Sequence, residues 1–81
     1  MADRNIIGKR LKLARRNSKP PVTQSDLAAR LQLQGLNFDR VTIAKIETSY
    51  REVTDIEVKE LARALGVTIA WLYGESDKTK K

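Results

Sequence analysis

The chain of 81 residues contains no cysteine and no histidine. Without thiols there can be neither a disulfide framework nor a thiolate metal site, and without imidazole the commonest general base and the commonest transition-metal ligand are missing. The 10 Asp and Glu residues are spread over helix caps, helix faces and linkers, with no nucleophile and base brought together in sequence. An enzyme is therefore not expected, nor any catalytic residue, cofactor or metal. Long apolar runs are lacking as well. The opening stretch MADRNIIGKR holds a two-residue apolar run, far short of a secretory leader. No later stretch approaches the roughly 20 apolar residues of a membrane span. The expectation is a cytoplasmic chain with no membrane partner and no small-molecule ligand.

What is present is enough for one small core. Apolar residues make up 41% of the chain, which at this length supports a single domain, expected over residues 1–75, with a flexible basic tail at 76–81. The net charge of +6 is unevenly distributed. Residues 1–19 hold seven Lys and Arg against Asp3, residues 20–53 balance, residues 54–77 carry a net −3, and the tail adds Lys78, Lys80 and Lys81. A basic surface toward one end of the chain, with the acidic segment turned elsewhere, fits a polyanionic partner.

Helix starts punctuate the sequence. Thr23, Asp39, Thr54 and Thr68 are each good N-caps, and each stands between an apolar residue one position before it and another four after it: Val22 and Leu27, Phe38 and Ile43, Val53 and Val58, Val67 and Leu72. That is the hydrophobic-staple spacing, repeated at four sites. Thr54 with Glu57, and Thr23 with Asp26, add capping-box pairs. Between the caps the apolar spacing is helical. A first helix is expected from about Ile6 to Arg16, halted by Pro20 and Pro21, a second from Gln24 to about Leu33, a third from about 40 to 48, a fourth from Asp55 to Leu65 ending at Gly66, and a short fifth from Ile69 to Tyr73. No segment alternates with period two, so the fold class is all-α.

The third helix has an unusual outer face. At helical spacing Ile43, Ile46 and Glu47 share one side, whereas Val41, Lys45 and Thr48 take the other, with Arg40 at the entrance. A solvated face would normally carry Glu, Lys and Gln. Here a Val, one Lys and a Thr suggest a surface built for contact.

These residues resemble a known family. TQSDLAARL, then VTIAKIE, then VKELARALGVTIAWLYG are similar to the Cro and lambda-repressor-like helix-turn-helix domain, the XRE family of bacterial regulators, over about Ile7 to Gly74. The resemblance implies five helices, with helices 2 and 3 forming the helix-turn-helix and helix 3 entering the DNA major groove. It implies a transcriptional regulator, bacterial or phage-encoded, here expected to be a phage- or mobile-element-type repressor. Such a protein binds double-stranded DNA at a palindromic operator as a homodimer. The alternative is a protein-interaction module such as the antitoxin of a toxin-antitoxin pair, although the chain lacks a long extension with which to wrap a toxin.

Residue by residue, Arg40 matches a base-contacting position of the family, and its planar fork can reach guanine O6 and N7 together. Val41 matches the next such position, where its methyls can pack on thymine. Lys45, one turn on, faces the same way. Gln24 matches the residue that meets a DNA phosphate at the start of helix 2. Thr48, Ser49, Tyr50 and Arg51 fall where the family makes further backbone contacts, and Lys19 in the linker is a further phosphate candidate. Glu47 matches an inward carboxylate that the family pairs with an Arg of the first helix, here Arg15, as scaffold. Trp71, Leu72 and Tyr73 are candidates for a dimer surface, although the spacing favours the core for Leu72 and leaves Trp71 equally suited to core or interface. Two departures stand out: the span from Leu27 to Glu47 is about five residues longer than a compact unit with its three- or four-residue turn, the surplus lying in the 33–38 loop, and the NSKPPV linker is also long.

Overall fold

A computed structural model describes residues 3–77. It contains five helices: α1 (Gly8–Asn17), α2 (Gln24–Leu33), α3 (Arg40–Glu47), α4 (Asp55–Leu65) and α5 (Ile69–Leu72). No strand occurs among the described residues. The four expected caps all form. Side-chain oxygens of Thr23, Asp39, Thr54 and Thr68 accept from the backbone N–H of Asp26, Thr42, Glu57 and Trp71, and both capping boxes close. Each cap satisfies a donor that the helix itself leaves without a partner.

The first helix begins two residues later than its apolar spacing suggests. Asn5 is the reason: its Oδ1 accepts from the N–H groups of Ile7 and Gly8, which caps the helix from outside and leaves Ile6 exposed. At the other ends, α2, α3, α4 and α5 close in the same way. The backbone N–H of Leu36, Tyr50, Val67 and Glu75 reaches back to the carbonyl of Leu31, Lys45, Ala62 and Ala70, the Schellman pattern, whose turning residue is left-handed. That residue is a glycine in three cases and Ser49, at φ 65°, in the fourth.

One core fills the space between the helices. Ile7, Leu11, Leu27, Leu31, Ile43, Ile46, Val58, Leu61 and Leu72 are fully buried. At about 1.5–3 kcal/mol for each such side chain, they outweigh any ion pair in holding the fold. Helix α2 packs on α3 and α4, α1 packs on α3, α4 and α5, and α4 packs on α5. Leu72 is buried in this core, as its spacing indicates, and Trp71, equally suited to core or dimer surface by sequence, is buried there as well. Arg10 lies over the Trp71 ring, 4.2 Å from its centroid, and its Nε donates to the Trp71 carbonyl.

The surplus residues of the helix-turn-helix form a loop folded back on the body. Its start is set by Gly35 at φ 96°. Gln34 Nε2 then donates to the carbonyl and carboxylate of Glu60 on α4, Gln32 Nε2 donates to the Phe38 carbonyl, and Leu36 packs against the core. Phe38 is buried just ahead of the Asp39 cap, so α3 docks despite the longer connection. Of the tail expected over 76–81, residues 78–81 lie outside the described residues; the Ser76 carbonyl accepts from Arg10.

Candidate nucleic-acid interface

The inward side of α3 is the buried half of the site. Ile43 and Ile46 are fully buried, and Glu47 lies between them and the other helices with its side chain 3% exposed. A carboxylate held that far from water needs charge and hydrogen bonds. Both are supplied. Arg15 Nε donates to Oε2 at 2.8 Å and Arg15 Nη2 to Oε1 at 3.0 Å, a bidentate pair, while Gln24 Nε2 donates to Oε1 at 3.1 Å. Arg15 Nη1 continues to the Val22 carbonyl. The bond to Glu47 holds the Arg15 guanidinium above its ordinary pKa against the opposing effect of burial. Three segments, α1, the start of α2 and the end of α3, meet at this one carboxylate, and Arg15 extends the network to the linker through the Val22 carbonyl.

The outward side presents Arg40, Val41, Lys45 and Thr48. Val41 is 48% exposed, so its methyls stand on the outer face between Arg40 and Lys45. Among the described residues the ion pairs are those of Arg15 with Glu47, Arg51 with Glu57 and Arg63 with Glu60, so neither Arg40 nor Lys45 is held in a salt bridge there, and Lys45 feels the Asp39 carboxylate only at longer range. The start of α3 is made rigid by Asp39, which accepts from both the backbone N–H and the hydroxyl of Thr42. The backbone bond above all holds its carboxyl below the usual carboxylate range.

The remaining candidates divide by how far the fold has already engaged them. Lys19 is exposed in the linker, and Tyr50 is 62% exposed after α3. Gln24 is half-buried and turned toward Glu47. The proton of Thr48 is given to the Ala44 carbonyl at 3.0 Å, so its hydroxyl is not an idle donor. Ser49 is half-buried and stands in the left-handed conformation. Arg51 is the most committed. Both its Nη atoms donate to the Glu57 carboxylate at 3.1 Å, and its guanidinium lies 4.9 Å from the Phe38 ring centroid.

An open cup of about 700 Å³ lies beside the outer face of α3. It is lined by Arg4, Thr42, Lys45, Tyr50 and Arg51 together with the acidic Glu52 and Glu57 and with Val53 and Thr54. Arg4 was not singled out by sequence reasoning. Its backbone N–H donates to the Ser49 carbonyl at 3.0 Å, which brings the segment ahead of α1 to the end of α3. Only the local charge count pointed to it. Among the described residues no group of His, Cys, Asp or Glu could hold a metal ion, and no helix is long and apolar enough to cross a membrane.

Comparison with known proteins bears on what this geometry is for. A family model described as helix-turn-helix matches residues 13–72, from the middle of α1 to the end of α5. No curated protein and no solved structure matches the chain.

Proposed function

The chain belongs to the XRE-type helix-turn-helix family of DNA-binding transcription regulators, and from that premise we propose that it is a sequence-specific repressor of the phage or mobile-element type. In this reading α3 lies in the major groove. Arg40 takes guanine O6 and N7, Val41 packs on a thymine methyl, and Lys45 donates to guanine or to phosphate. Lys19, Gln24 and the Thr48 to Arg51 segment position the domain on phosphates, with Tyr50 and Lys19 the most accessible of them and Arg51 acting mainly through its hold on α4. Arg15 and Glu47 are scaffold: they fix α3 without touching the DNA. The mechanism is occupancy of a site, which requires neither metal nor cofactor.

The observation that carries the reading is the contrast between the two sides of α3. Its inward side is anchored by two buried isoleucines and a carboxylate that accepts three hydrogen bonds, while its outward side holds an exposed arginine and an exposed lysine in none of the ion pairs among the described residues, with an exposed valine between them. A purely structural helix has no need of that outer face.

Size favours a homodimer on a palindromic operator. The longest extent of the described residues is 31 Å, less than the roughly 34–36 Å between half-sites one helical turn apart. One copy can therefore occupy one half-site, and two are needed for a specificity that competes with genomic DNA. Selection of bound sites from a random DNA pool tests the proposal. A palindromic consensus is the expected result; a pool that shows no enrichment, with affinity insensitive to salt, would favour a protein-interaction module such as an antitoxin.

A further inference from the structure

Among the described residues the buried polar side chains are Glu47 and Asn5, each 7% exposed. Both act on the last turn of α3. Glu47 is accounted for by its ion pair, whereas Asn5 has no place in the reading above. Its carboxamide is saturated: Nδ2 donates to the Ile46 carbonyl at 3.0 Å and to the Arg51 carbonyl at 2.8 Å, while Oδ1 accepts from Ile7 N–H at 3.1 Å and Gly8 N–H at 2.8 Å. A carboxamide has two N–H bonds and two lone pairs, so no capacity is left over. Only one orientation of the group satisfies all four partners.

The junction is tight on every side. A Cβ at Gly8 would lie 2.5 Å from the Ile46 carbonyl oxygen and 2.9 Å from that of Glu47, so the start of α1 and the end of α3 are in backbone contact. The hydrogen bond from Arg4 N–H to the Ser49 carbonyl closes the same seam. Apolar burial of Ile43 and Ile46 sets how deep α3 sits, but hydrophobic contact is non-directional and leaves its tilt loosely defined. Directional bonds define tilt. From Glu47 to Arg40 is about 10.5 Å at 1.5 Å per residue, so a tilt of roughly 5° at the clamped end moves Arg40 by about 0.9 Å. That displacement is enough to spoil a bidentate base contact.

We infer that Asn5 is a positioning residue for DNA recognition, its Nδ2 donors holding the Ile46 carbonyl in the last turn of α3 and the Arg51 carbonyl of the segment that follows, and so fixing the angle that presents Arg40, Val41 and Lys45 to the bases. The inference rests on the reading that α3 is the recognition helix. It separates from that reading because Asn5 does two jobs through different atoms. Oδ1 caps α1, and Nδ2 clamps α3.

The variants Asn5→Asp and Asn5→Ser both keep an oxygen acceptor suited to a helix start and both lose the paired N–H donors of the carboxamide; the serine carries no charge to repel the two carbonyls, and its single O–H, on a side chain one atom shorter, cannot hold both of them. The measurement is the ratio of affinities for the site selected from the random pool and for random DNA, at one salt concentration, with helicity followed by circular dichroism. The expected result is a ratio reduced by about tenfold in both variants, with the salt dependence on random DNA unchanged. An unchanged ratio in a folded variant would show that Asn5 only stabilises the domain and overturns the inference. If a variant is unfolded at the assay temperature, an osmolyte that restores helicity is added, and recovery of the full ratio together with the fold overturns it equally. Failure of the underlying reading is seen without any variant, since the wild type would then show no preference for a selected site, and the inference falls with it.

Discussion

At the scale of single residues, α3 separates readout from scaffold, and the two kinds of substitution should fail differently. Arg40→Ala removes a five-donor fork from the groove-facing end of the helix. It should cost about 1–3 kcal/mol on the cognate site and relax preference at one base pair per half-site, while barely changing affinity for random DNA; titration of both DNAs at one salt concentration checks this, and equal losses would reassign Arg40 to phosphate. Glu47→Ala removes the acceptor of three hydrogen bonds and leaves Arg15 largely buried beside Gln24. Stability should fall by about 3 kcal/mol in denaturant melts, because an uncompensated cation is costlier than the intact pair is favourable. Ser49 offers a third contrast. A non-glycine residue at φ 65° carries a steric cost that glycine avoids, so Ser49→Gly should raise stability by about 1 kcal/mol. If the hydroxyl also grips phosphate, that same variant will bind all DNA more weakly, a trade of stability for function.

The helices, as elements, are bounded by side chains that titrate. Asp26, Asp39 and Glu57 all sit at helix starts, and all three have pKa values lowered in the fold. For Asp26 the main cause is the backbone bond to Thr23, for Asp39 that to Thr42, and for Glu57 the bond from Arg51. A carboxyl whose folded pKa lies below its unfolded value of about 4 contributes stability above that value and loses it as pH falls through the folded pKa. Thermal melts should therefore show a roughly level midpoint above about pH 5 and a decline below about pH 4. Glu57→Gln should make the decline shallower, and an unchanged acid limb would remove Glu57 from the set. Thr54→Ala, at the start of the same helix, should lower stability by about 1 kcal/mol through loss of the cap. The C-terminal ends follow from a repeated backbone pattern rather than from charge, which is why the long α2–α3 connection can turn at Gly35 and still deliver Phe38 to the core.

For the whole molecule the governing quantity is charge. With a net +6 concentrated toward the N-terminal third, association with DNA should weaken steeply as salt rises, the logarithm of affinity falling by about 0.9 per phosphate neutralised for each unit in the logarithm of salt concentration. Lys19→Ala should flatten that slope by about one unit if its exposed ammonium meets a phosphate. An unchanged slope would place the linker outside the interface. The fold leaves Leu33 90% exposed and Ile6 and Ile56 well exposed, while Trp71 and Leu72 are taken up by the core. Tyr73 alone of the three dimer candidates keeps a substantial exposed surface.

What the sequence by itself determined was whatever depends on neighbours a few positions apart. The boundaries of α2 and α4, the four caps and the inward set Ile43, Ile46 and Glu47 were all readable, since a cap and its staple span six residues and a helical face repeats every three or four. The pairing of Glu47 with Arg15 needed the family resemblance, because 32 positions separate the partners. Tertiary structure alone decided the rest. Asn5 reaches carbonyls 41 and 46 positions away, Gln24 turns onto Glu47, Arg51 binds Glu57 while lying over Phe38, and Gln34 ties the long loop to α4. None of these has a period or a local motif, since each depends on where packing of the apolar faces happens to bring two backbone ends or two side chains. Local pattern chooses the helices; the closing of the core chooses which polar atoms are left without water, and those atoms then take whatever partner lies within hydrogen-bond reach.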